Sequence, residues 1–159
     1  MTHKDLVKIA ERYLYKTKRC GFVFTDFSTA AFERPDAIGF TSSESYLIEC
    51  KMSRGDFRND FKKMRLQNPD GAMGNYRFYL CPEGLIKKEE LPEHYGLIYV
   101  TDNMDIRTIR GADYYNDKFK RSHSEELKMM YSALRRLKKR GVFELIYDKI
   151  DTKLKIISK

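Results

Sequence analysis

Tryptophan is absent from the 159 residues, and proline (four), cysteine (three) and histidine (three) are scarce. Cys20, Cys50 and Cys81 are odd in number and widely spaced, with no CxxC pair or Cys/His cluster to hold zinc, so they read as reduced thiols of a cytoplasmic protein. His3, His94 and His123 have no partner at ligand spacing and read as surface residues. No apolar run approaches the roughly 18 residues of a membrane span. The first twenty residues, MTHKDLVKIAERYLYKTKRC, are too charged for a signal peptide, so neither insertion nor secretion is expected. A Gly-x-Ser-x-Gly elbow and a Cys/His pair are also missing, which leaves no candidate serine or cysteine nucleophile.

What remains is a chain with 42% hydrophobic residues, 11 Tyr and 10 Phe. That is enough apolar mass for a sizeable core and excludes intrinsic disorder. Without repeats or a low-complexity linker, one domain over residues 1–159 is expected, with a core over about 4–110 and a C-terminal helical extension over about 111–159. Lys and Arg number 31 against 23 Asp and Glu, a net +8, which fits a polyanionic partner.

Periodicity orders the elements. Residues 4–17 carry Leu6, Ile9, Ala10, Tyr13 and Leu14 at helical spacing, with Thr2 or Asp5 near the start. Three strand-like runs follow, FVFTDFS, AFERPDAIGFT and SYLIECKMS, the last two joined by a short polar turn that predicts a hairpin. A helix is predicted over SRGDFRNDFKKMRLQ, ended by Asn68-Pro69-Asp70-Gly71, then strands over NYRFYLCP and YGLIYVT. Last comes SEELKMMYSALRRLKKRG, with Ser124 as N-cap, Glu125 and Glu126 in the first turn, and Leu127, Met130, Tyr131, Leu134 and Leu137 as its apolar face. Residues 111–123 suit a flap, and 142–159 fit a strand, a helix or a tail equally. Helix, three strands, helix, two strands, helix argues for an α/β fold with a mixed central sheet flanked by helices and an extra C-terminal basic helix.

The chemistry concentrates between Arg34 and Lys51. Pro35-Asp36 opens one strand, and Glu49-Cys50-Lys51 ends the next, so Asp36 and Glu49 lie on adjacent strands. Alternation along a strand puts Glu49 and Lys51 on one face and Cys50 on the other. Two carboxylates, with the Cys50 backbone carbonyl between them, are the hard oxygen ligands that Mg²⁺ or Mn²⁺ accepts. A metal there polarises a phosphoryl oxygen and activates water, and Lys51 positions that water or offsets charge on the phosphate. This is phosphodiester hydrolysis chemistry.

Pro35-Asp36 with Glu49-Cys50-Lys51, in this element order, resembles the PD-(D/E)xK nucleases. IECKMSRGDFRNDFKK followed by YRFYLCP and YGLIYVTDN is similar, more narrowly, to the MmcB-like branch of bacterial and phage DNA-repair endonucleases, from about Glu11 to Ile109. The resemblance implies a restriction-endonuclease-like core and a cytoplasmic site of action in a bacterial cell or phage-infected host. It makes Asp36 and Glu49 metal ligands and Lys51 catalytic, with Glu11 on the first helix completing the site. Ser53 and Asp56-Phe57-Arg58 with Asp60 match that branch, while a solvated ion pair with Lys8 is an equal reading of Glu11.

Asp56 and Asp60 read as helix-face charges or structural pairs. Arg58, Lys62 and Lys63 are candidate phosphate contacts, as is Arg34, for which an ordinary surface arginine is the default reading. So is the cluster Arg135, Arg136, Lys138, Lys139 and Arg140, which exceeds what a helix C-terminus needs. Tyr76 and Tyr79 read as core, with base stacking as the alternative. The expected partner is DNA, many nucleases of this kind act as homodimers, and the rival reading is a catalytically silent nucleic-acid-binding module with the same fold.

Overall fold

The computed structural model describes residues 1–66, 72–111 and 118–148, and their side chains except those of 61–66. Thr2 starts the first helix. Its hydroxyl accepts from the Asp5 N–H at 3.3 Å and the Asp5 carboxylate accepts from the Thr2 N–H at 2.7 Å, a reciprocal cap for α1 (His3–Lys16). The helix buries Leu6, Val7, Ile9, Ala10, Tyr13 and Leu14 on one face.

That face covers one side of a six-stranded sheet. Strands β1 (Phe22–Thr25), β2 (Ala37–Phe40) and β3 (Ser45–Cys50) run antiparallel in sequence order, and the 41–44 turn between β2 and β3 is the predicted hairpin. α2 (Arg54–Leu66) then crosses to β4 (Tyr76–Pro82), parallel to β3, and β5 (Tyr95–Val100) lies parallel to β4. β6 (Ile106–Arg110) closes the order β1-β2-β3-β4-β5-β6, antiparallel to β5. The architecture is α/β, a mixed sheet flanked by three helices.

Under α1, Ile48, Cys50, Phe78, Leu80, Ile98 and Val100 form the main core. On the opposite face Phe57 of α2 packs with Tyr79, Tyr95 and Leu97, and Met129 of α3 (His123–Lys139) packs with Ile38, Leu47 and Met73. β4 is buried on both faces, as its near-continuous apolar run requires. The sheet is so tight at Gly96 that a Cβ there would lie 2.2 Å from the Phe78 ring.

Three expectations are corrected. β6 is an additional strand that IRTIR does not declare, because its five residues are too few and lack a strict apolar–polar alternation. Its arginines suit an edge strand, which charge protects from further pairing. Of the expected apolar face of α3, Met130 packs against the core, but Leu127 is 67% exposed and Tyr131, Leu134 and Leu137 are exposed too, while Glu125, Glu126 and Met129 are buried. The reason is polar docking. Glu126 Oε1 accepts from the Ser45 hydroxyl at 2.6 Å and the Gly74 N–H at 3.1 Å, and Glu125 Oε2 accepts from the Phe32 N–H at 2.6 Å. Nor are the described residues of the expected flap loose: the Phe119 and Ser122 N–H groups donate to Asn75 O and Ala72 O, each at 2.7 Å. Residues 112–117 of that flap lie outside the described residues. Within the undecided C-terminal stretch, Phe143–Tyr147 is a short 3-10 turn, and 149–159 lie outside the described residues. Among the described residues no helix is long and apolar enough to cross a membrane.

Candidate active site

The β2–β3 register pairs Ala37 with Ile48, which sets Asp36 just outside the ladder and beside Glu49. The Cys50 N–H donates to Asp36 Oδ2 at 2.7 Å, fixing that carboxylate at the end of β3, and Oδ1 lies 3.4 Å from His3 Nε2. Strand alternation does the rest. Cys50 turns into the core under α1, and Glu49 and Lys51 share the other face with Lys51 Nζ 3.3 Å from Glu49 Oε2.

Immediately after Lys51 the chain enters α2. Ser53 Oγ accepts from the Asp56 N–H at 3.1 Å, so this serine caps the helix. Asp60 then reaches back: its Oδ1 is 3.1 Å from Lys51 Nζ, and its Oδ2 accepts from the Tyr79 hydroxyl at 3.0 Å. Arg77, the second residue of β4, grips Glu33 with both ends of its guanidinium and donates to the Tyr95 hydroxyl at 2.8 Å. These groups surround a cavity of about 330 Å³ whose lining also includes Phe32, Arg34 and Asn59.

Five carboxylates line it (Glu33, Asp36, Glu49, Asp56, Asp60) against the fixed cations Arg34, Lys51 and Arg77. Burial pushes the Glu49 carboxyl up to about 8; Lys51 opposes the shift, and Asp36, Asp60 and Glu33 add to it. Burial alone would depress the Lys51 ammonium, yet Glu49 and Asp60 outweigh it and its pKa is raised. Burial, then Asp36 and Glu49, push the Cys50 thiol up, which leaves it inert as a nucleophile. Among the described residues no three or more His, Cys, Asp or Glu side chains converge to hold a metal ion.

Asp36, Glu49, Cys50, Lys51 and Arg34 thus come together as the sequence suggested, with Arg34 donating to Asp26 O at 3.1 Å. Glu11 does not line the cavity. It follows His3 by about 12 Å of helix rise, and the α1 residue that reaches Asp36 is His3. Asp60 pairs with Lys51 and Tyr79 inside the cavity and not with a neighbour on its own helix face.

Arg58 is exposed on α2 outside the cavity lining, and the side chains of Lys62 and Lys63 lie outside the described residues. Arg135, Lys138, Lys139 and Arg140 are exposed at the end of α3. Arg136 is committed elsewhere, its guanidinium 4.1 Å over the Phe27 ring and bonded to Ser28 O. Tyr76 and Tyr79 are buried, so neither stacks on a base.

Sequence reasoning missed His3, Phe32, Glu33, Asn59 and Arg77. A charge inside the run YRFYLC was a usable signal, since a buried arginine demands a partner. Nothing local marks the others.

No family model matches the chain, and no curated protein does. Among solved structures it is similar to the SPO1766 protein of unknown function from Silicibacter pomeroyi, at 23% identity over 95% of this chain and 97% of that one, with a TM-score of 0.60. At that identity the likeness shows a shared fold.

Proposed function

We propose that the chain is a divalent-metal-dependent phosphodiesterase of the PD-(D/E)xK type, a DNA endonuclease of repair or phage DNA processing built on a restriction-endonuclease-like core. One observation carries this reading: Asp36, Glu49 and Lys51 meet at the end of β3, in a polar cavity between α1 and α2. The donor chemistry fits Mg²⁺ or Mn²⁺. Five carboxylates exceed the three fixed cations, an excess of negative charge that a hard divalent ion would offset. Asp36 and Glu49 would hold the ion, with the Cys50 carbonyl as a further oxygen. When bound, it would supply Lewis-acid polarisation of a phosphoryl oxygen and activation of water.

The chain's own groups do the positioning. Lys51, steered by Asp60, offsets charge developing on the phosphate, and Asp60 is itself fixed by Tyr79. The Cys50 N–H holds Asp36 in one orientation, and the Arg77–Glu33 pair secures the cavity wall.

The test is incubation with labelled single-stranded, duplex and branched DNA and with RNA, in Mg²⁺, Mn²⁺ or EDTA. Cleavage that requires metal and is lost in Lys51→Ala, by about a hundredfold or more, is expected. Metal-independent cleavage, or cleavage retained by Lys51→Ala, would refute the assignment. A second reading, a silent nucleic-acid-binding module, is favoured by Lys51 being satisfied by Glu49 and Asp60 and by the lack of a converged ligand trio among the described residues. It predicts binding of these substrates and turnover of none.

A further inference from the structure

The rim of the cavity carries one residue that its polar chemistry does not use. Phe32 lines the cavity yet is 63% exposed, and no ring among the described residues stacks on it. A loose loop tip would account for an exposed phenylalanine, but the backbone here is anchored on both sides. The Phe32 N–H is held by buried Glu125, and upstream Ser28 O accepts from the Arg136 guanidinium of α3. The next residue, Glu33, is clamped by Arg77 and accepts from the Met73 N–H at 3.0 Å. The chain then reaches buried Pro35 and half-buried Asp36. An apolar ring is therefore presented to solvent by a fixed segment, four residues before the carboxylate that the hydrolytic reading places on the metal.

Resting on that reading, we infer that Phe32 is a stacking platform for an unpaired nucleobase beside the scissile phosphodiester, and that the substrate is single-stranded or locally unpaired nucleic acid. The ligand beside Asp36 must combine a negative backbone with something flat and apolar within reach of an aromatic face. A nucleotide supplies both, and its base face is free only when it is unstacked and unpaired. In a duplex the faces are covered by neighbouring pairs, so an exposed ring at the mouth gains nothing from them. Stacking is indifferent to base identity, so the preference is for strand state and not for sequence.

The experiment measures binding without turnover. Lys51→Ala protein in EDTA is titrated with a single strand carrying 2-aminopurine, the same strand with an abasic position, and the duplex, with and without Phe32→Ala or Phe32→Tyr. On the intact strand, Phe32→Ala is expected to weaken binding on the order of tenfold and abolish aminopurine quenching, while Phe32→Tyr retains both. The abasic strand and the duplex should bind the Phe32→Ala protein and its parent alike, and the Tm of Phe32→Ala should match that of the parent. Equal losses on intact, abasic and duplex substrates, or no loss on any, would overturn the stacking role. Cleavage by the wild-type chain in Mn²⁺ is scored separately. Phe32-dependent binding without cleavage supports stacking and overturns turnover, and cleavage without a Phe32 effect does the reverse. No binding to any nucleic acid overturns both.

Discussion

Glu49 is the residue whose environment is most at odds with its charge. In the unfolded chain its carboxyl titrates near 4.5, and in the folded cavity at about 8. Below pH 4.5 it is neutral in both states. Between 4.5 and about 8 the unfolded chain releases the proton while the folded one keeps it, so stability attributable to Glu49 is lost as pH rises through that window. Replacing Glu49 by Gln removes this loss and leaves Lys51 its partner Asp60. In metal-free buffer the thermal midpoint of Glu49→Gln should therefore match wild type near pH 5 and exceed it near pH 8. Adding Mn²⁺ at pH 8 should raise the wild-type midpoint by more than the variant's, because Glu49→Gln takes away one of the two carboxylates that would hold the ion. Parallel pH profiles for the two proteins would show that Glu49 is not the strained group.

At the scale of elements, α3 is held by its polar first turn together with Met129 and Met130, and not by the rest of its apolar stripe. Glu126 joins three parts of the chain, the Ser45 hydroxyl at the start of β3, the Gly74 N–H before β4, and Arg121 ahead of the helix. Glu126→Ala strips buried donors of their acceptor and should cost about 3 kcal/mol in urea unfolding, with Glu126→Gln costing less because it keeps an acceptor. Leu134→Ala, on the exposed face, should stay within about 0.5 kcal/mol. The opposite ranking would mean that the apolar stripe is covered in solution.

This element also marks where sequence reasoning stops. Helices, the β2–β3 hairpin and the pairing of Asp36 with Glu49 and Lys51 are legible because capping, periodicity and strand alternation are local rules. A helix-spaced apolar stripe normally identifies a core face, and here two carboxylates with distant donors reverse it. His3, Glu33 and Phe32 are equally illegible: each acquires its place from residues more than thirty positions away, Asp36, Arg77 and Glu125 respectively.

Across the whole molecule, charge of one sign is separated from charge of the other. The chain carries +8, and residues 113–159 hold thirteen Lys and Arg against seven Asp and Glu. The cavity inverts that balance with five carboxylates to three fixed cations. Such a division suits a protein that draws a polyanion to its outside and a cation to its inside. The last turn of α3 begins about 15 Å of helix rise beyond Glu125, whose carboxylate fixes the Phe32 backbone, so a strand could contact both the rim and the basic end. If it does, affinity for single strands should fall linearly on a log–log plot against salt, with a slope of about 0.7 for each phosphate neutralised. Replacing Arg135, Lys138, Lys139 and Arg140 together by Ala should lower that slope by up to about 3. Arg136 stays in place in this variant because it packs on Phe27 and its loss would disturb the 26–36 segment. The remaining affinity should still respond to Phe32→Ala, since stacking carries no counterion release. A slope unchanged by the four substitutions would move the backbone path away from α3, toward the α2 surface that bears Arg58.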